Sequence, residues 1–175
     1  MQTFLPYSDF RKSVECFDRP RLGKQRVECL QLCNGIAGLS SLGWRNHPAS
    51  KMWSNDLEAL IQYGMTCCIH WIERGYLDTV YDKLGLLSDR YRQNYKLTIP
   101  TWIGSYKFHS SHRAALLQKD FNYYSKFDWP ENSFYRKIGY FWPIPLVADK
   151  PVYYDWRNRI SDDKEDYFGS TTGLS

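Results

Sequence analysis

The chain lacks the segments that would carry it into or across a membrane. None of the apolar runs in its 175 residues reaches the roughly 20 residues that span a bilayer. Its first six residues, MQTFLP, contain neither the basic start nor the apolar stretch of a secretory signal. We therefore expect a soluble, cytoplasmic protein without a membrane partner.

The motifs of several large enzyme classes are also missing. The sequence has no P-loop, no glycine fingerprint for a dinucleotide, no HExxH metal motif, no G-x-S-x-G turn and no zinc-deaminase signature. Its five cysteines, Cys16, Cys29, Cys33, Cys67 and Cys68, are odd in number and form no Cys-x-x-Cys pair. We expect buried, reduced thiols rather than disulfides or zinc ligands.

Helical signals dominate what the sequence does contain, and we predict a mainly α, compact single-domain helical fold. A chain of 175 residues with 43% hydrophobic residues can bury one core. The predicted domain covers residues 1–160 and includes an aromatic- and proline-rich extended C-terminal segment after residue 121. Residues 161–175 are expected to form a polar tail.

Two long helices are predicted from capping residues and apolar periodicity. The first begins after Asp18, has Pro20 in its first turn and stops at Asn34-Gly35. The second covers residues 56–74 and ends at Gly75. Shorter helices are predicted over residues 8–16, 48–54, 79–92 and 110–120.

Positive charge is concentrated near the start of the chain. The net charge is only +4, but residues 11–51 hold eight basic side chains against three acidic ones. This distribution suits a phosphate-rich partner such as DNA. Solvated helix faces carry similar charge, so the feature alone does not establish a partner.

The first group of candidate functional residues lies on the first long helix. At about 100° per residue, four polar side chains share a flank away from the apolar stripe: Arg21, Lys24, Gln25 and Glu28. A single carboxylate among cations has its charged form favoured and can stabilise a cation that develops opposite it. A surface ladder of ion pairs is the alternative interpretation.

The second group lies in the loop around residue 45 and at the start of the next helix. Arg45, Asn46, His47 and Lys51, next to Trp44, offer phosphate contacts, hydrogen bonds to base edges and a ring for stacking. In the alternative interpretation, His47 and Asn46 cap the helix and Trp44 fills the core.

The third group lies in residues 108–113, at the predicted start of a helix. His109, Ser111, His112 and Arg113 favour contacts to a phosphate or a sugar there. The two histidines would also suit a metal, but no acidic residue lies close by in the sequence to complete a site. Histidines that satisfy local hydrogen bonds are the structural alternative.

Together these residues resemble the pyrimidine-dimer DNA glycosylase (endonuclease V-like) family, in particular its bacterial and phage branch. The resemblance is carried by residues 1–6, 21–28, 44–48, 51–53, 74–76 and 108–113. It covers roughly residues 1–145 and implies a compact all-α fold without a cofactor or metal. It also implies a partner, duplex DNA with a damaged or modified base, and we expect a monomer.

The resemblance further implies roles for individual residues. In this family an N-terminal α-amine attacks the sugar C1′, the base leaves, and a Schiff base allows the strand to be nicked. A glutamate on an early helix stabilises the sugar cation, and Glu28 matches it because the family's spacing from leucine to glutamate is kept from Leu22. Arg21 takes the place of a family histidine. The corresponding amine is that of Met1, with Lys24 as the alternative.

The other candidates are expected to bind the substrate. The expected phosphate contacts are Arg21, Arg45, Lys51 and Arg113, and the expected pocket residues are Gln25, Asn46, His47, His109, Ser111 and His112. Two further hypotheses stay open: a non-catalytic module that binds nucleic acid or a nucleotide, and a metal-dependent hydrolase built on the histidines at 47, 109 and 112.

Overall fold

The computed structural model describes residues 2–40, 45–91 and 98–143, together with the backbone of residues 152–154. Within these ranges the chain is mainly helical, which confirms the predicted fold class. No helix there is both long and apolar enough to cross a bilayer. The predicted tail, residues 161–175, lies outside the described residues.

The elements follow one another in a simple order. The α-helices are α1 (Phe10–Glu15), α2 (Arg19–Ile36), α3 (Pro48–Trp53), α4 (Leu57–Glu73), α5 (Tyr81–Tyr91), α6 (Tyr106–Lys119) and α7 (Phe121–Tyr124). Short 3₁₀ helices follow at Ser125–Phe127, Pro130–Ser133 and Tyr135–Lys137. Strands β1 (Tyr140–Trp142) and β2 (Val152–Tyr154) then pair in antiparallel fashion, with Tyr140 opposite Tyr154.

Helix α2 begins where the sequence predicts but ends later. The carboxylate of Asp18 accepts a hydrogen bond from the backbone N–H of Arg21 at 2.6 Å, and Pro20 occupies the first turn. The predicted stop at Asn34-Gly35 is wrong, because the helix continues to Ile36. The helix ends just before Gly38, whose φ of 77° is a backbone conformation that glycine adopts without strain.

Close packing between α2 and α4 forms the centre of the core. Gly64 in α4 makes this approach possible, since a Cβ added there would lie 2.9 Å from Cβ of Cys29 and 2.9 Å from Cδ1 of Leu84. Real Cβ atoms do not approach other atoms so closely, so any side chain at this position would push the helices apart. The five cysteines are buried and free, as predicted.

Replacing Gly64 with alanine should destabilise the protein by about 1–3 kcal/mol, because the new methyl group overlaps neighbours fixed in the core. The matched control is Gly85→Ala in α5, where an added Cβ meets no atom within 4 Å. Higher helix propensity should make that variant about 0.5–1 kcal/mol more stable. Urea denaturation followed by tryptophan fluorescence measures both, and equal effects would contradict the packing described.

Residues 2–6 run through the core as an extended segment, and all five are buried. Its main-chain groups are bound by side chains of three helices: Gln25 of α2, Tyr63 of α4, and His109, His112 and Arg113 of α6. A buried peptide group without a partner costs about 1–3 kcal/mol. These side chains therefore fix the path of the segment beside α2.

Helix α6 begins earlier than the sequence predicts. It starts at Tyr106, just after Gly104, whose φ of 96° turns the chain into the helix. Residues 108–113 consequently lie within the helix, where all of them are buried. Residues 109–113 offer no free helix start to an anion, because their N–H groups follow the first turn.

Residues 121–137 form short helical turns and not the extended chain predicted for this part of the segment. Asp120 caps α7 by accepting a hydrogen bond from the N–H of Tyr123 at 3.0 Å, and Pro130 opens a 3₁₀ helix. These local signals favour short helical turns over an extended chain. The aromatic rings do pack together, for example Phe127 on Trp129 with 5.3 Å between ring centres.

Candidate active site

A cavity of about 570 Å³ opens between the N-terminal segment, α2, α6 and β1. This volume lies in the range of sites that hold a small ligand, about 300–1,000 Å³. Its lining combines charged, aromatic, amide and aliphatic side chains: Gln2, Phe4, Arg21, Lys24, Glu28, His47, Pro48, Ala115, Gln118, Lys119, Ile138, Tyr140 and Trp142. Three residues of the predicted helix flank, Arg21, Lys24 and Glu28, therefore meet at one site.

Glu28 is the carboxylate of this cavity. Burial raises the pKa of its carboxyl group above the ordinary value, while the charges of Lys24 and Arg21 oppose the shift. The sequence pattern predicts that the neighbouring cations favour the charged form, but in the structure the loss of solvent outweighs them. A carboxyl group with a raised pKa can donate a proton and then act as a carboxylate near neutral pH.

Gln25 connects Glu28 to the N-terminal segment. Its Nε2 donates hydrogen bonds to Oε2 of Glu28 at 2.9 Å and to the backbone oxygen of Gln2 at 2.8 Å. Its Oε1 accepts hydrogen bonds from the N–H of Phe4 at 2.8 Å and from the hydroxyl of Tyr63 at 2.9 Å. Gln25 is fully buried, so it positions the carboxylate rather than lining the cavity as predicted.

Three cations surround the carboxylate. Arg21 and Lys119 both approach the ring of Phe4, with Cζ of Arg21 5.4 Å and Nζ of Lys119 5.6 Å from its centre. Lys24 also lines the cavity and is exposed. The positive charge of this group exceeds the charge of Glu28, so the site favours an anionic ligand.

Aromatic rings form the opposite wall. The ring of Tyr140 lies 6.2 Å from the ring of Phe4 and 6.0 Å from that of Trp142, measured between centres. The ring of His47 lies 6.5 Å from that of Trp142. Burial raises the pKa of the Tyr140 hydroxyl, so this phenol stays neutral. No local pattern in the sequence indicates Tyr140 and Trp142 as site residues, because only the fold brings β1 to α2.

The second predicted group is divided by the structure. His47 lines the cavity, and its Nδ1 accepts a hydrogen bond from the N–H of Ala49 at 3.1 Å, so the predicted capping role is confirmed. Burial lowers the pKa of His47. Arg45, Asn46 and Lys51 are exposed and lie outside the cavity's described lining.

The third predicted group lies in the core and not at the cavity. Arg113 forms a two-point ion pair with Glu131, with both N–O distances at 2.8 Å, and donates to the oxygen of Pro6 at 2.9 Å. The hydroxyl of Ser111 donates to the backbone oxygen of Phe108. The side chains of Arg113 and Ser111 are thus hydrogen-bonded to other groups of the same chain. In this structure they have no access to a phosphate or a sugar.

The two histidines of this group hold the N-terminal segment. Nδ1 of His109 donates to the oxygen of Leu5 at 2.8 Å, and its Nε2 accepts from the N–H of Gly104 at 2.9 Å. Nδ1 of His112 accepts from the N–H of Leu5 at 2.8 Å. His109 therefore matches the structural alternative of a satisfied histidine, whereas Nε2 of His112 is buried without a hydrogen-bond partner among the described residues. Within the described ranges, no three His, Cys, Asp or Glu side chains are grouped to hold a metal ion.

Acid should destabilise the protein through these histidines. Burial lowers the pKa of His109 and of His112, whereas the unfolded chain takes up their protons below about pH 6.5. The contribution of the two histidines to the free energy of unfolding is therefore complete above that pH. It decreases as the pH falls below that value, by up to about 1.4 kcal/mol per pH unit for each histidine. Urea denaturation at pH 7 and pH 5 should show a weaker pH dependence for His112→Gln than for the natural chain. An identical dependence would contradict this assignment.

Met1, the predicted source of the N-terminal amine, lies outside the described residues, as do Gly43 and Trp44. Gln2 is the first described residue, and it lines the cavity next to Glu28. The site therefore contains Glu28, which is the predicted carboxylate, and Lys24, which is one of the two predicted amines. It also contains Gln2, the residue that follows Met1, the source of the other predicted amine.

Comparison with known protein families gives a match for the part of the chain that contains Glu28. Residues 1–84 match the model of a family described as pyrimidine dimer DNA glycosylase. No curated protein and no solved structure gives a significant match. The matched range includes Arg21, Lys24, Glu28 and His47 but ends before α6, for which the resemblance stays a prediction. Over residues 1–84 the comparison supports the resemblance found in the sequence, because this part of the chain matches the pyrimidine dimer DNA glycosylase family.

Proposed function

We propose that this protein is a DNA glycosylase that removes a damaged or modified pyrimidine base from duplex DNA in the cytoplasm. The observation that carries the proposal is the position of Glu28, which lies in a cationic cavity and belongs to the part of the chain that matches the family. A pyrimidine dimer is the first substrate to test, because it is the one in the family's description.

The cavity suits a nucleotide that has left the base stack. Tyr140 provides a partly exposed ring against which a base can stack, and the buried rings of Phe4 and Trp142 support it. Arg21 and Lys24 provide positive charge for the neighbouring phosphates. The Nε atom of Arg21 is buried and has no hydrogen-bond partner among the described residues, and a phosphate oxygen would satisfy it.

Glu28 would act on the glycosidic bond. In its protonated form the carboxyl group gives a proton to the departing base, and the resulting carboxylate stabilises the positive charge that develops at C1′ of the sugar. Gln25 holds the carboxylate in place through the 2.9 Å hydrogen bond. These roles need a single carboxyl group that changes its protonation state, which its raised pKa favours.

Strand nicking would follow if an amine forms a Schiff base with the opened sugar. The sequence indicates two such amines, the α-amine of Met1 and the side chain of Lys24. Lys24 lines the cavity. Gln2, the residue that follows Met1 in the sequence, lines the same cavity.

The proposal is tested by incubating the purified protein with duplexes that contain a thymine dimer, a hypermodified pyrimidine or only ordinary bases. Separation of the products by mass spectrometry should show release of a base, or cleavage of one glycosidic bond of the dimer, from one of the altered duplexes. Tight, salt-dependent binding without any product would favour the non-catalytic binding module instead.

A further inference from the structure

The wall of the cavity contains a buried amide, that of Gln2, whose hydrogen-bonding groups are unused among the described residues. The side chain is 3% exposed, and neither Oε1 nor Nε2 has a hydrogen-bond partner there. Burying a polar group without a partner costs free energy. Two neighbouring glutamines differ, because both amide atoms of Gln25 are bonded and Nε2 of Gln118 donates to the backbone oxygens of Tyr135 and Ile138.

The path of the N-terminal segment directs this amide towards the cavity. Successive side chains of an extended segment point to opposite sides. On one side, the hydroxyl of Thr3 accepts a hydrogen bond from Nε1 of Trp53 at 2.9 Å. Phe4 lines the cavity on the other side, and Gln2, which shares that side, lines it too.

The backbone of Gln2 holds the amide close to the carboxyl group that would act on the glycosidic bond. Its N–H donates a hydrogen bond to Glu28, and its oxygen accepts one from Nε2 of Gln25 at 2.8 Å. The same Nε2 of Gln25 donates to Glu28. A sugar whose C1′ lies at Glu28 therefore brings the attached base next to Gln2.

An amide offers an N–H donor beside an oxygen acceptor, and this pair selects among ligands. A phosphate dianion provides acceptors alone, so it would leave Oε1 of Gln2 without a donor. In thymine and uracil the O2 acceptor stands beside the N3–H donor, so one base satisfies both atoms of the amide. In cytosine O2 and N3 are both acceptors, and Oε1 again lacks a partner.

We propose that the side chain of Gln2 hydrogen-bonds O2 and N3–H of the target base and thereby restricts the enzyme to altered bases derived from thymine or uracil. Nε2 donates to O2, and Oε1 accepts from N3–H. Because the amide is almost closed off from solvent, this contact requires a change of side-chain rotamer, which is common on binding. The inference rests on the proposed glycosylase function and names its substrate class, which includes thymine dimers and 5-substituted uracils but excludes 5-substituted cytosines.

The direct test compares the altered duplex that loses its base with the same duplex methylated at N3 of that base. Methylation removes the donor, so single-turnover base release by the natural protein should fall by roughly 10- to 100-fold. The Gln2→Met variant has no amide to lose, so it should release the base from both duplexes at nearly equal rates. If methylation slowed the variant as much as the natural protein, the two effects would be independent and the proposal would be overturned.

A second measurement separates recognition of the base from a role in folding. Gln2→Met should unfold at the same urea concentration as the natural protein or at a higher one, since an apolar group of similar size replaces an unpartnered amide. Gln62→Met is the matched control, because Gln62 is exposed on α4 and lies outside the cavity's described lining. This control should keep the full difference between the two duplexes. A lower urea midpoint for Gln2→Met would show that the protein itself binds the amide, which would overturn the proposal.

Two outcomes distinguish the role of Gln2 from the glycosylase reaction itself. Base release with an unchanged preference for the unmethylated duplex in Gln2→Met would leave the glycosylase in place and remove Gln2 from recognition. If no altered duplex loses a base, the glycosylase proposal fails, and equilibrium binding of thymidine 5′-monophosphate decides about Gln2. The natural protein should bind it several-fold more tightly than deoxycytidine 5′-monophosphate, and Gln2→Met should bind both equally. Equal affinities, or no binding of either nucleotide, in the natural protein would overturn the inference.

Discussion

Replacing Glu28 with glutamine should lower the rate of base release by roughly 100- to 10,000-fold. Glutamine has nearly the same shape and keeps an oxygen that can accept the hydrogen bond from Gln25. It provides neither a proton for the departing base nor a negative charge opposite C1′. Single-turnover assays with the enzyme in excess of an altered duplex measure the effect.

DNA binding by Glu28→Gln should be unchanged or slightly tighter, because one negative charge leaves a cavity that faces phosphates. Glu15→Gln is the control, since Glu15 lies on α1 and pairs with Arg11 at the surface. That variant should keep full activity. An equal loss of binding and base release in Glu28→Gln would show that Glu28 holds the structure or the DNA and does not act on the bond.

Replacing Arg113 with methionine should destabilise the protein by about 3–5 kcal/mol, because Glu131 would remain charged and fully buried without its partner. The variant also loses the hydrogen bond to the oxygen of Pro6. Urea denaturation measures the change. Arg136→Met is the control, because Arg136 is exposed and contacts Tyr135, and its effect should be within about 0.5 kcal/mol.

A second variant keeps this prediction testable if Arg113→Met does not fold. Replacing Arg113 and Glu131 together by methionine removes both charges, and an apolar pair of similar size should recover most of the lost stability. Full stability of Arg113→Met together with weak DNA binding would contradict the buried ion pair. It would support the phosphate contact that the sequence pattern favoured.

The sequence predicts the parts of this protein that depend on local signals. The start of helix α2 is predictable because its two signals, the capping carboxylate of Asp18 and the proline in the first turn, lie within a few residues of each other. Glu28 and its cationic neighbours share a flank because helical periodicity alone sets their directions. The family resemblance then gives these residues a chemistry that periodicity does not provide.

The parts that the sequence did not predict depend on contacts between distant residues. His109, His112 and Arg113 have the residue types of a binding site, but their partners are main-chain groups about 105 positions earlier in the chain. Nothing in the spacing of residues 108–113 indicates that residues 2–6 cross the core beside them. Lys119 and Tyr140 reach the cavity only through the packing of α6 and β1 against α2.

The most direct test of the central claim is a crystal structure of the Glu28→Gln variant bound to a duplex with a thymine dimer. The variant should bind without reacting, so the complex is stable enough to crystallise. A nucleotide should lie in the cavity with its C1′ next to residue 28 and its base against the ring of Tyr140. DNA bound on another face of the protein, with the cavity empty, would contradict the claim that this cavity is the active site.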